Sequence, residues 1–407
     1  MNQNISISTP ARLSSPIYGL PDDILYEIFR CFASDWHTFV PVIVSHTCRH
    51  WRTLALHLPS LWNHILVRLP QETSVTKAAA YFKRSGSSQI SLKILGQAVL
   101  ESEEISSLMR RYHGQLEHIT LTLIDGNDKL LAPLAGCQFT SLSSLCLGCP
   151  LQNGAADMIN LFRRNSSITR LICYSPTVSI SSPWPSLTEL ELRNSFSTDS
   201  ICDILSQCPE LRVVRVRFRA FNESSDSTIV RLSKLEDLGV SQPGAIFRRL
   251  EAPLLQKLRI QQSLYRHIPR GHDALDKFLV RSQCKLKHLE LFDDSISDSS
   301  LIQYLRLPSL QSLTSLVIRG PTLSKQVLRC FAAPEGAYGV VPLMESLAWG
   351  KCALPAGTLE KVFASRLPQL GYAPLKSLTL KMPKTNHADT IYLDSLVATG
   401  TSVCLTS

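Results

Sequence analysis

The sequence lacks the segments that direct a protein to or across a membrane. None of its apolar runs approaches the roughly eighteen residues that a membrane-spanning helix needs. Residues 1–18 are rich in Ser, Asn and Pro and have neither a basic start nor an apolar core, so we expect no secretory signal there. We interpret residues 1–17 as a disordered leader, and we predict no membrane partner.

Catalytic signatures are missing as well. Glycine is scarce, with 18 residues in 407, and none lies in a GxGxxG motif or in a phosphate-binding loop that ends in Lys-Ser/Thr. HExxH and GxSxG motifs are also absent. The acidic pairs Glu103–Glu104 and Asp293–Asp294 have no implied partner base and are typical of an exposed helix face and a loop. The sequence therefore predicts a non-catalytic protein without a cofactor.

Cysteine is present, but its spacing does not predict a metal site. The chain has 12 cysteines and no secretion signal, which favours reduced thiols in the cytoplasm or nucleus. Cys146 and Cys149 have the spacing of a zinc or redox motif, but no second pair and no histidine lies close to them in sequence. We therefore expect no bound metal.

The net charge is basic, but the basic residues are spread along the chain. The formal net charge is +9, and basic residues are interleaved with acidic ones. No segment combines clustered basic and aromatic side chains as single-strand binding modules do. We expect no nucleic-acid partner, and a mildly basic surface that suits acidic partners.

Two short amphipathic helices are predicted near the N-terminus. Pro21 suits the first helical position, and Asp22 and Asp23 fall in the first turn, where the helix dipole favours negative charge. The first helix carries an apolar stripe formed by Ile24, Leu25, Ile28, Phe29 and Phe32. The second carries one formed by Cys48, Trp51, Leu54, Ala55 and Leu58. Helices this short cannot bury so much apolar surface alone, so the rest of the chain or another protein must cover it.

These residues resemble the F-box. The family pattern is Leu-Pro, an acidic residue, an aliphatic pair and Ile-Phe, then Cys-Arg-x-Trp and Pro-x-Leu-Trp. It is matched by Leu20, Pro21, Asp23, Ile24, Leu25, Ile28, Phe29, Cys48, Arg49, Trp51, Pro59, Leu61 and Trp62. The resemblance implies a small three-helix module over 18–66 that docks onto the Skp-type adaptor of a cullin–RING ubiquitin ligase. The adaptor-binding residues it implies are Leu20, Pro21, Ile24, Leu25, Ile28, Phe29, Cys48 and Trp51.

The same pattern also fits an ordinary helical cap whose apolar stripes face a larger domain. Helix periodicity alone favours that alternative, whereas the three pieces in order favour the F-box. The stretch 33–44 leaves the path between the two helices open, because Pro41 starts or breaks a helix and does not continue one.

A short phrase repeats through the rest of the chain: an aliphatic residue, two variable ones, an aliphatic, a variable one and an aliphatic. Its eleven copies begin at Leu116, Leu142, Ile168, Leu187, Leu211, Leu235, Leu255, Leu286, Leu313, Met344 and Leu375. Alternation over the last four positions predicts a strand with one buried face. The intervals of 19 to 31 residues resemble those of leucine-rich repeats.

Helices are predicted between these strands, for example over 155–164, 198–207 and 274–281. Strands that alternate with helices indicate an α/β solenoid with a parallel inner sheet, because a single unit cannot bury its apolar face but a stack can. The family consensus places Asn or Cys eight residues after the first aliphatic. Here five of the eleven copies have Pro at that position and none has Asn. We therefore expect an irregular leucine-rich-repeat solenoid over 116–407.

Residues 67–115 are predicted to cap this solenoid. They contain a predicted helix, Thr73–Arg84, and a predicted strand, Gln89–Leu95, separated by a turn at Ser85 and Gly86. This helix, turn and strand resemble the linker of fungal-type F-box-like proteins.

The variable positions of the strands predict a second functional surface. In a strand with one buried face these side chains share the other face, which is the concave one in a solenoid. The candidate substrate-binding residues are Arg170, Tyr174, Glu191, Arg193, Arg215, Arg217, Arg259 and Phe292. Basic residues are densest between Arg212 and Arg219, which predicts a protein substrate with acidic residues. The alternative is a solvated face whose charge serves solubility.

Together these features predict the substrate-recognition subunit of an SCF-type ubiquitin ligase, which recruits a cullin through the Skp-type adaptor and binds an unknown protein substrate. The alternative is a ligase-independent leucine-rich-repeat scaffold that binds protein partners.

Overall fold

The computed structural model divides into two compact units, Met1–Leu142 and Ser143–Ser407. It describes residues 16–33, 39–97, 102–123, 130, 132–134, 136–148, 162, 167–174, 184–193, 196–217, 228–241, 244–261, 272–294, 296–332, 340–352, 357–366, 371–381 and 387–406. Most of the leader predicted over 1–17, and all but residue 162 of the helix predicted over 155–164, lie outside these residues. Among the described residues, no helix has both the length and the apolar character to cross a membrane.

The first unit begins with a group of short helices. They are a 3-10 turn (Pro16–Gly19), α1 (Asp22–Ala33), α2 (Val40–Thr47), α3 (Arg49–His57) and a second 3-10 turn (Pro59–Leu61). The helix after Pro21 begins where the sequence predicted it. Pro41 lies in the first turn of α2, where a missing N–H leaves no intrahelical bond unmade. Pro16 and Ile17, which fall within the range predicted as a leader, belong to the first 3-10 turn.

The helices of this group are held together by the aromatic residues of the N-terminal motif. The rings of Phe29 and Trp51 meet edge to face, with centroids 5.0 Å apart. Trp62 is fully buried, and its Nε1 donates a hydrogen bond to the carbonyl oxygen of Ala55 over 2.7 Å. The Sγ atom of Cys48 accepts a hydrogen bond from the backbone N–H of Trp51 over 3.4 Å and so caps α3. Of the motif residues, Leu25, Phe29, Leu61 and Trp62 therefore lie in the interior of this small bundle.

The remainder of the first unit is a three-stranded parallel sheet with two helices. Its elements are β1 (His64–Leu69), α4 (Glu72–Arg84), β2 (Ile90–Gly96), α5 (Ser102–Arg111) and β3 (Leu116–Leu123), and the strand order is β1-β2-β3. The predicted helix and strand of the linker are confirmed to within one residue. Strand β1 was not predicted, because it follows Trp62 directly and shares no repeat phrase.

The second unit is a mixed α/β structure built on a long parallel sheet, as a repeat solenoid requires. Its strands in sheet order are β4 (Ser144–Leu147), β5 (Arg170–Cys173), β6 (Glu189–Leu192), β7 (Val213–Val216), β9 (Asp237–Ser241), β11 (Lys257–Gln261), β12 (His288–Phe292), β13 (Ser315–Leu323), β14 (Ser346–Cys352), β15 (Ser377–Lys381) and β16 (Ser402–Thr406). Each of the eleven repeat phrases forms one strand, the first being β3 of the first unit. Equivalent positions are in register across neighbouring strands, so the repeated aliphatic side chains form continuous buried rows, as Leu238 and Leu258 do.

Short helices connect these strands at uneven intervals. The described ones are α6 (Thr198–Ser206), α7 (Gly244–Phe247), α8 (His272–Ser282), α9 (Asp298–Leu305), α10 (Lys325–Arg329), α11 (Thr358–Phe363) and α12 (His387–Ala398). Two strands of two residues each, β8 (Val230–Arg231) and β10 (Leu250–Glu251), pair in parallel and form a separate sheet. In the chain, β8 comes before β9 and β10 comes before β11. The helices predicted over 198–207 and 274–281 are confirmed to within two residues. Serines cap three of the helices at their first turns, namely Ser197, Ser297 and Ser324.

Arginine side chains bond backbone carbonyl groups between the repeats of the second unit. Both terminal nitrogens of the buried Arg366 donate hydrogen bonds, to the carbonyl oxygens of Phe331, Val341 and Pro342 over 3.0–3.1 Å. Arg281 donates in the same way to the carbonyl groups of Phe247 and Leu250. Carbonyl groups between repeats are thus satisfied by long side chains from later repeats, which fits the irregular spacing.

Candidate functional site

Two surfaces are candidates for function, and the first is formed by the N-terminal helices. The structure places Leu25 and Phe29 in the bundle interior, each 1% exposed, where no partner can touch them while the bundle is folded. Leu20, Ile28, Cys48 and Trp51 are partly exposed, and Pro21 and Ile24 are exposed. Of the eight predicted adaptor-binding residues, Leu25 and Phe29 therefore shape the bundle and do not form its outer surface.

Large apolar side chains nevertheless remain uncovered on this bundle. We define the N-terminal apolar surface as the exposed residues Ile24, Phe32, Phe39, Ile43 and Leu56. Phe32 and Ile43 are each 63% exposed. Five large apolar side chains exposed on three short helices and the residue before α2 leave apolar area that another protein can cover.

Phe39 and Ile43 were not predicted as site residues. Phe39 precedes α2, and its ring lies 3.9 Å from the Nζ atom of Lys77 in α4. Partial burial lowers the pKa of Lys77. One sequence signal could have indicated them. All six residues from Phe39 to Val44 are apolar, and a short helix cannot bury apolar residues on every side.

The second candidate surface is the face of the β4–β16 sheet that carries the variable repeat positions. We call it the polar face. Residues alternate along each strand, so that in β6 Leu190 and Leu192 are buried while Glu189 and Glu191 are partly exposed. All eight predicted substrate-binding residues occupy such alternate positions on β5, β6, β7, β11 and β12 or directly after them.

Ion pairs cross the polar face from strand to strand. Arg215 Nη2 lies 3.2 Å from Asp237 Oδ2, and the same oxygen is 3.9 Å from Arg259 Nη2. Glu290 lies 3.0 Å from Lys257 Nζ and 3.1 Å from Arg259 Nε. Each acidic side chain in this network is therefore shared by two basic ones.

The protonation of this network follows from its contacts. Burial acts to raise the pKa of Glu290, but the hydrogen bond from Lys257 and the charges of Arg259 and Lys257 outweigh it, so the pKa is lowered overall. For His288 on the same strand, burial lowers the pKa, and the nearby Lys257 and Lys287 lower it further. Glu290 therefore stays ionised and His288 neutral around neutral pH.

A depression lies in the middle of the polar face. It encloses about 240 Å³ and is lined by Glu191, Arg215, Val216, Arg217, Gly239, Val240, Ser241, Arg259, Gln261, Glu290 and Phe292. Its floor exists because Gly239 has no side chain. A Cβ atom there would lie 3.3 Å from Arg215 Cγ and 3.8 Å from Arg259 Cβ. We call this feature the Gly239 depression.

Two arginines beside this depression are not neutralised. On β5–β13 the alternating positions carry seven basic side chains (Arg170, Arg193, Arg215, Arg217, Lys257, Arg259, Arg319) and four acidic ones (Glu189, Glu191, Asp237, Glu290), a surplus of three positive charges. Among the residues that the structure describes, no acidic group pairs with the guanidinium of Arg217 or of Arg319. Arg319 instead stacks over the ring of Phe292, with its guanidinium carbon 5.3 Å from the ring centroid.

Arg170, Tyr174 and Arg193 form a second set on the polar face, outside the depression. Arg193 donates hydrogen bonds to Glu191 and to the hydroxyl of Tyr174, and Arg170 pairs with Glu189. The hydrogen bond to Glu191 raises the pKa of Arg193, while burial opposes that shift. The depression thus gathers five of the eight predicted substrate-binding residues and leaves these three beside it.

No group of three potential metal ligands occurs within the described part of the chain. Cys146 lies on β4, whereas Cys149, with which it shares the spacing of a zinc or redox motif, falls outside the described residues.

Comparison with known proteins gives little further information. No protein-family model matches the chain, and no curated protein matches it either. Among solved structures, the chain is similar to one in the crystal structure of the Rad7 and Elc1 complex in yeast. The two chains share 14% identity, the alignment covers 90% of each, and the TM-score is 0.38. A similarity this distant supports no argument about fold or function.

Proposed function

We propose that this chain is the substrate-recognition subunit of an SCF-type ubiquitin ligase. In this proposal the N-terminal helices dock onto a Skp-type adaptor, the adaptor links the chain to a cullin, and the polar face of the sheet binds a protein substrate. The chain itself carries out no bond-making chemistry.

The observation that carries the proposal is the N-terminal apolar surface on helices that also match the F-box pattern. An adaptor that covers Ile24 and Phe32 gains about 1.5–3 kcal/mol for each side chain it fully buries. Both residues lie on α1, eight positions apart, which corresponds to about 12 Å along the helix axis. A groove of a partner protein spans such a distance easily.

The contact residues overlap only in part with those that the motif alone implied. Phe29 packs against Trp51 and Leu25 is buried beside it on α1, while Ile24 and Phe32 make the contact, with Ile28 between them. The motif residues inside the bundle therefore act by positioning the residues on its surface.

The proposed mechanism works through proximity. A substrate held on the polar face stays near the activated ubiquitin that another subunit carries, so its effective concentration at that point rises. This requires simultaneous binding of the adaptor and the substrate, and the two proposed surfaces use different residues.

Co-purification tests the proposal. The full chain is co-expressed with a Skp-type adaptor and captured, alongside the variant Ile24→Asp/Phe32→Asp and the control Leu254→Asp/Val280→Asp, which alters two exposed apolar residues of the second unit. We expect the wild type and the control to retain the adaptor and the N-terminal variant to lose it. If the wild type fails to retain the adaptor, or if the N-terminal variant retains it fully, the proposal is wrong.

The alternative function is a ligase-independent scaffold, which the polar face supports equally well because it needs only a protein partner there. The two functions differ in whether a cullin is recruited through the adaptor. Adding a cullin to the purified complex distinguishes them: a ternary complex favours the ligase subunit, and an adaptor complex that excludes the cullin favours the scaffold.

A further inference from the structure

We propose that the Gly239 depression binds a peptide segment in which an acidic side chain lies beside an apolar one. This inference rests on the proposed function, since it specifies what the polar face recognises in a protein substrate. The depression is one subsite of the polar face, which spans many strands.

The acidic side chain is recognised by unpaired positive charge. Arg217 lines the depression, is exposed and has no acidic partner among the described residues. Arg215 beside it shares its partner Asp237 with Arg259. A guanidinium binds a carboxylate through two parallel hydrogen bonds, and such charge-assisted bonds are stronger than neutral ones. The local surplus of positive charge therefore favours a carboxylate at this wall.

The apolar side chain is recognised by the floor and the opposite wall. Gly239 is buried between the side chains of Arg215 and Arg259 and forms a low part of the floor, and Phe292 lines the depression two strands away. The guanidinium of Arg319 stacks over the ring of Phe292. An aliphatic or aromatic side chain that enters the depression loses contact with water and can pack against the ring of Phe292.

The size of the depression separates this occupant from a small-molecule ligand. Its volume of about 240 Å³ is below the range of about 300–1,000 Å³ that is typical of small-molecule sites. It is sufficient for a single large side chain with part of its neighbour. Because the depression is open toward the rest of the polar face, the chain on both sides of that residue can continue across the strands.

The acidic side chains of the polar face argue against a nucleic acid as the occupant. Glu191 and Glu290 line the depression, and Asp237 pairs with its arginines. A phosphate backbone placed across these strands meets those carboxylates as well as the arginines. A peptide with one acidic residue can instead avoid them, because only one position must pair with Arg217.

A peptide-display selection on the full chain tests the inference without the adaptor. The probe is a library of random ten-residue peptides, and a fluorescein-labelled consensus peptide is then titrated by fluorescence anisotropy. We expect enriched peptides to carry Asp or Glu within a few residues of a large apolar side chain. Enrichment of basic peptides, absence of enrichment, or tighter binding of a single-stranded oligonucleotide than of the consensus peptide overturns it.

Two variants locate the binding. Arg217→Glu/Arg319→Glu reverses the unpaired charges, and Gly239→Leu places a side chain in the floor of the depression without changing charge. We expect each to weaken peptide binding by about tenfold or more, because charge reversal adds repulsion and the leucine occupies the site. Lys325→Glu/Lys361→Glu, on exposed helix positions, and Ala348→Leu, on the same sheet face outside the depression, are the matched controls and should bind as the wild type does. Equal binding by the wild type and both site variants overturns the inference.

The variants distinguish loss of binding from loss of folding. Arg217 and Arg319 are exposed, so their double variant tests the inference even if Gly239→Leu unfolds, which a thermal unfolding curve detects. Because the adaptor is absent, loss of peptide binding and loss of adaptor binding are separate results. The peptide result stands if the adaptor does not bind, and the reverse also holds.

Discussion

The N-terminal helices and the parallel sheet expose different parts of their sequence patterns. In β6 and β11, the variable residues of the repeat are partly or fully exposed and the aliphatic ones are buried. In α1, two adjacent apolar residues differ in exposure: Leu25 is buried and Ile24 is exposed. The alternation along a strand thus identifies its exposed residues directly. The apolar stripe of a helix does not, when the stripe is wider than the face that packs against the protein interior.

The physical reason is the geometry of the two elements. Side chains alternate strictly along a strand, so burial of one residue fixes the exposure of the next. Successive helix residues are about 100° apart, and an apolar stripe can contact the protein interior with one edge and a partner with the other. The predictions below test this contrast, from the largest expected effect to the smallest.

The largest effect is expected at Leu25. Leu25→Ala leaves a cavity next to Phe29 and should lower the free energy of unfolding by about 3 kcal/mol, whereas the adjacent Ile24→Ala should change it by less than about 0.5 kcal/mol. Denaturant unfolding of the two variants measures the difference. Equal losses of unfolding free energy in the two variants would mean that Leu25 and Ile24 are not on a buried and an exposed side of α1.

A comparable loss is expected at Arg366 in the second unit. Arg366→Met removes the donors of three carbonyl hydrogen bonds from a side chain that is almost fully buried, which should cost about 3 kcal/mol. Burial lowers the pKa of this guanidinium to about 10, with the nearby Tyr372 opposing the shift. Arg217→Met, at an exposed position, is the control and should leave the unfolding curve in place. An unchanged curve for Arg366→Met would show that the carbonyl groups find other donors.

A smaller effect is expected from Glu290 in acid. Because its folded-state pKa lies below the usual 4.5, its ion pairs stabilise the folded state above that value, and the contribution disappears as the pH falls through the lowered pKa. Glu290→Gln should therefore lose less stability than the wild type as the pH falls from about 5 to about 3. Thermal unfolding across that range measures this, and parallel curves would contradict the assigned pairing with Lys257 and Arg259.

Much of the repeat architecture could be predicted from sequence, because each aliphatic phrase encodes its own strand. Its irregular features could not be predicted. Strand β1 lacks the phrase, and the arginines that bond carbonyl groups, such as Arg281 and Arg366, come from helices or loops at no fixed distance from it. The Gly239 depression is lined by residues of five neighbouring strands, so it could not be found from any one strand. Only the register of β7, β9 and β11 places Gly239 between Arg215 and Arg259.

The same limit applied to the N-terminal surface. The motif falls on α1 and α3 and the turns beside them, but which of its apolar residues face outward depends on how α1, α2 and α3 pack together. Phe29 contacts Trp51, and that contact turns Ile24 and Phe32 away from the interior.

Direct titration of a Skp-type adaptor into the full-length chain is the most decisive measurement for the exposed N-terminal surface. By calorimetry, Ile24→Asp/Phe32→Asp should weaken the wild-type affinity by about a hundredfold or more, since two desolvated apolar contacts are replaced by charges, while Leu254→Asp/Val280→Asp should leave it unchanged. Undiminished affinity in the N-terminal variant would contradict the assignment of this surface to adaptor binding.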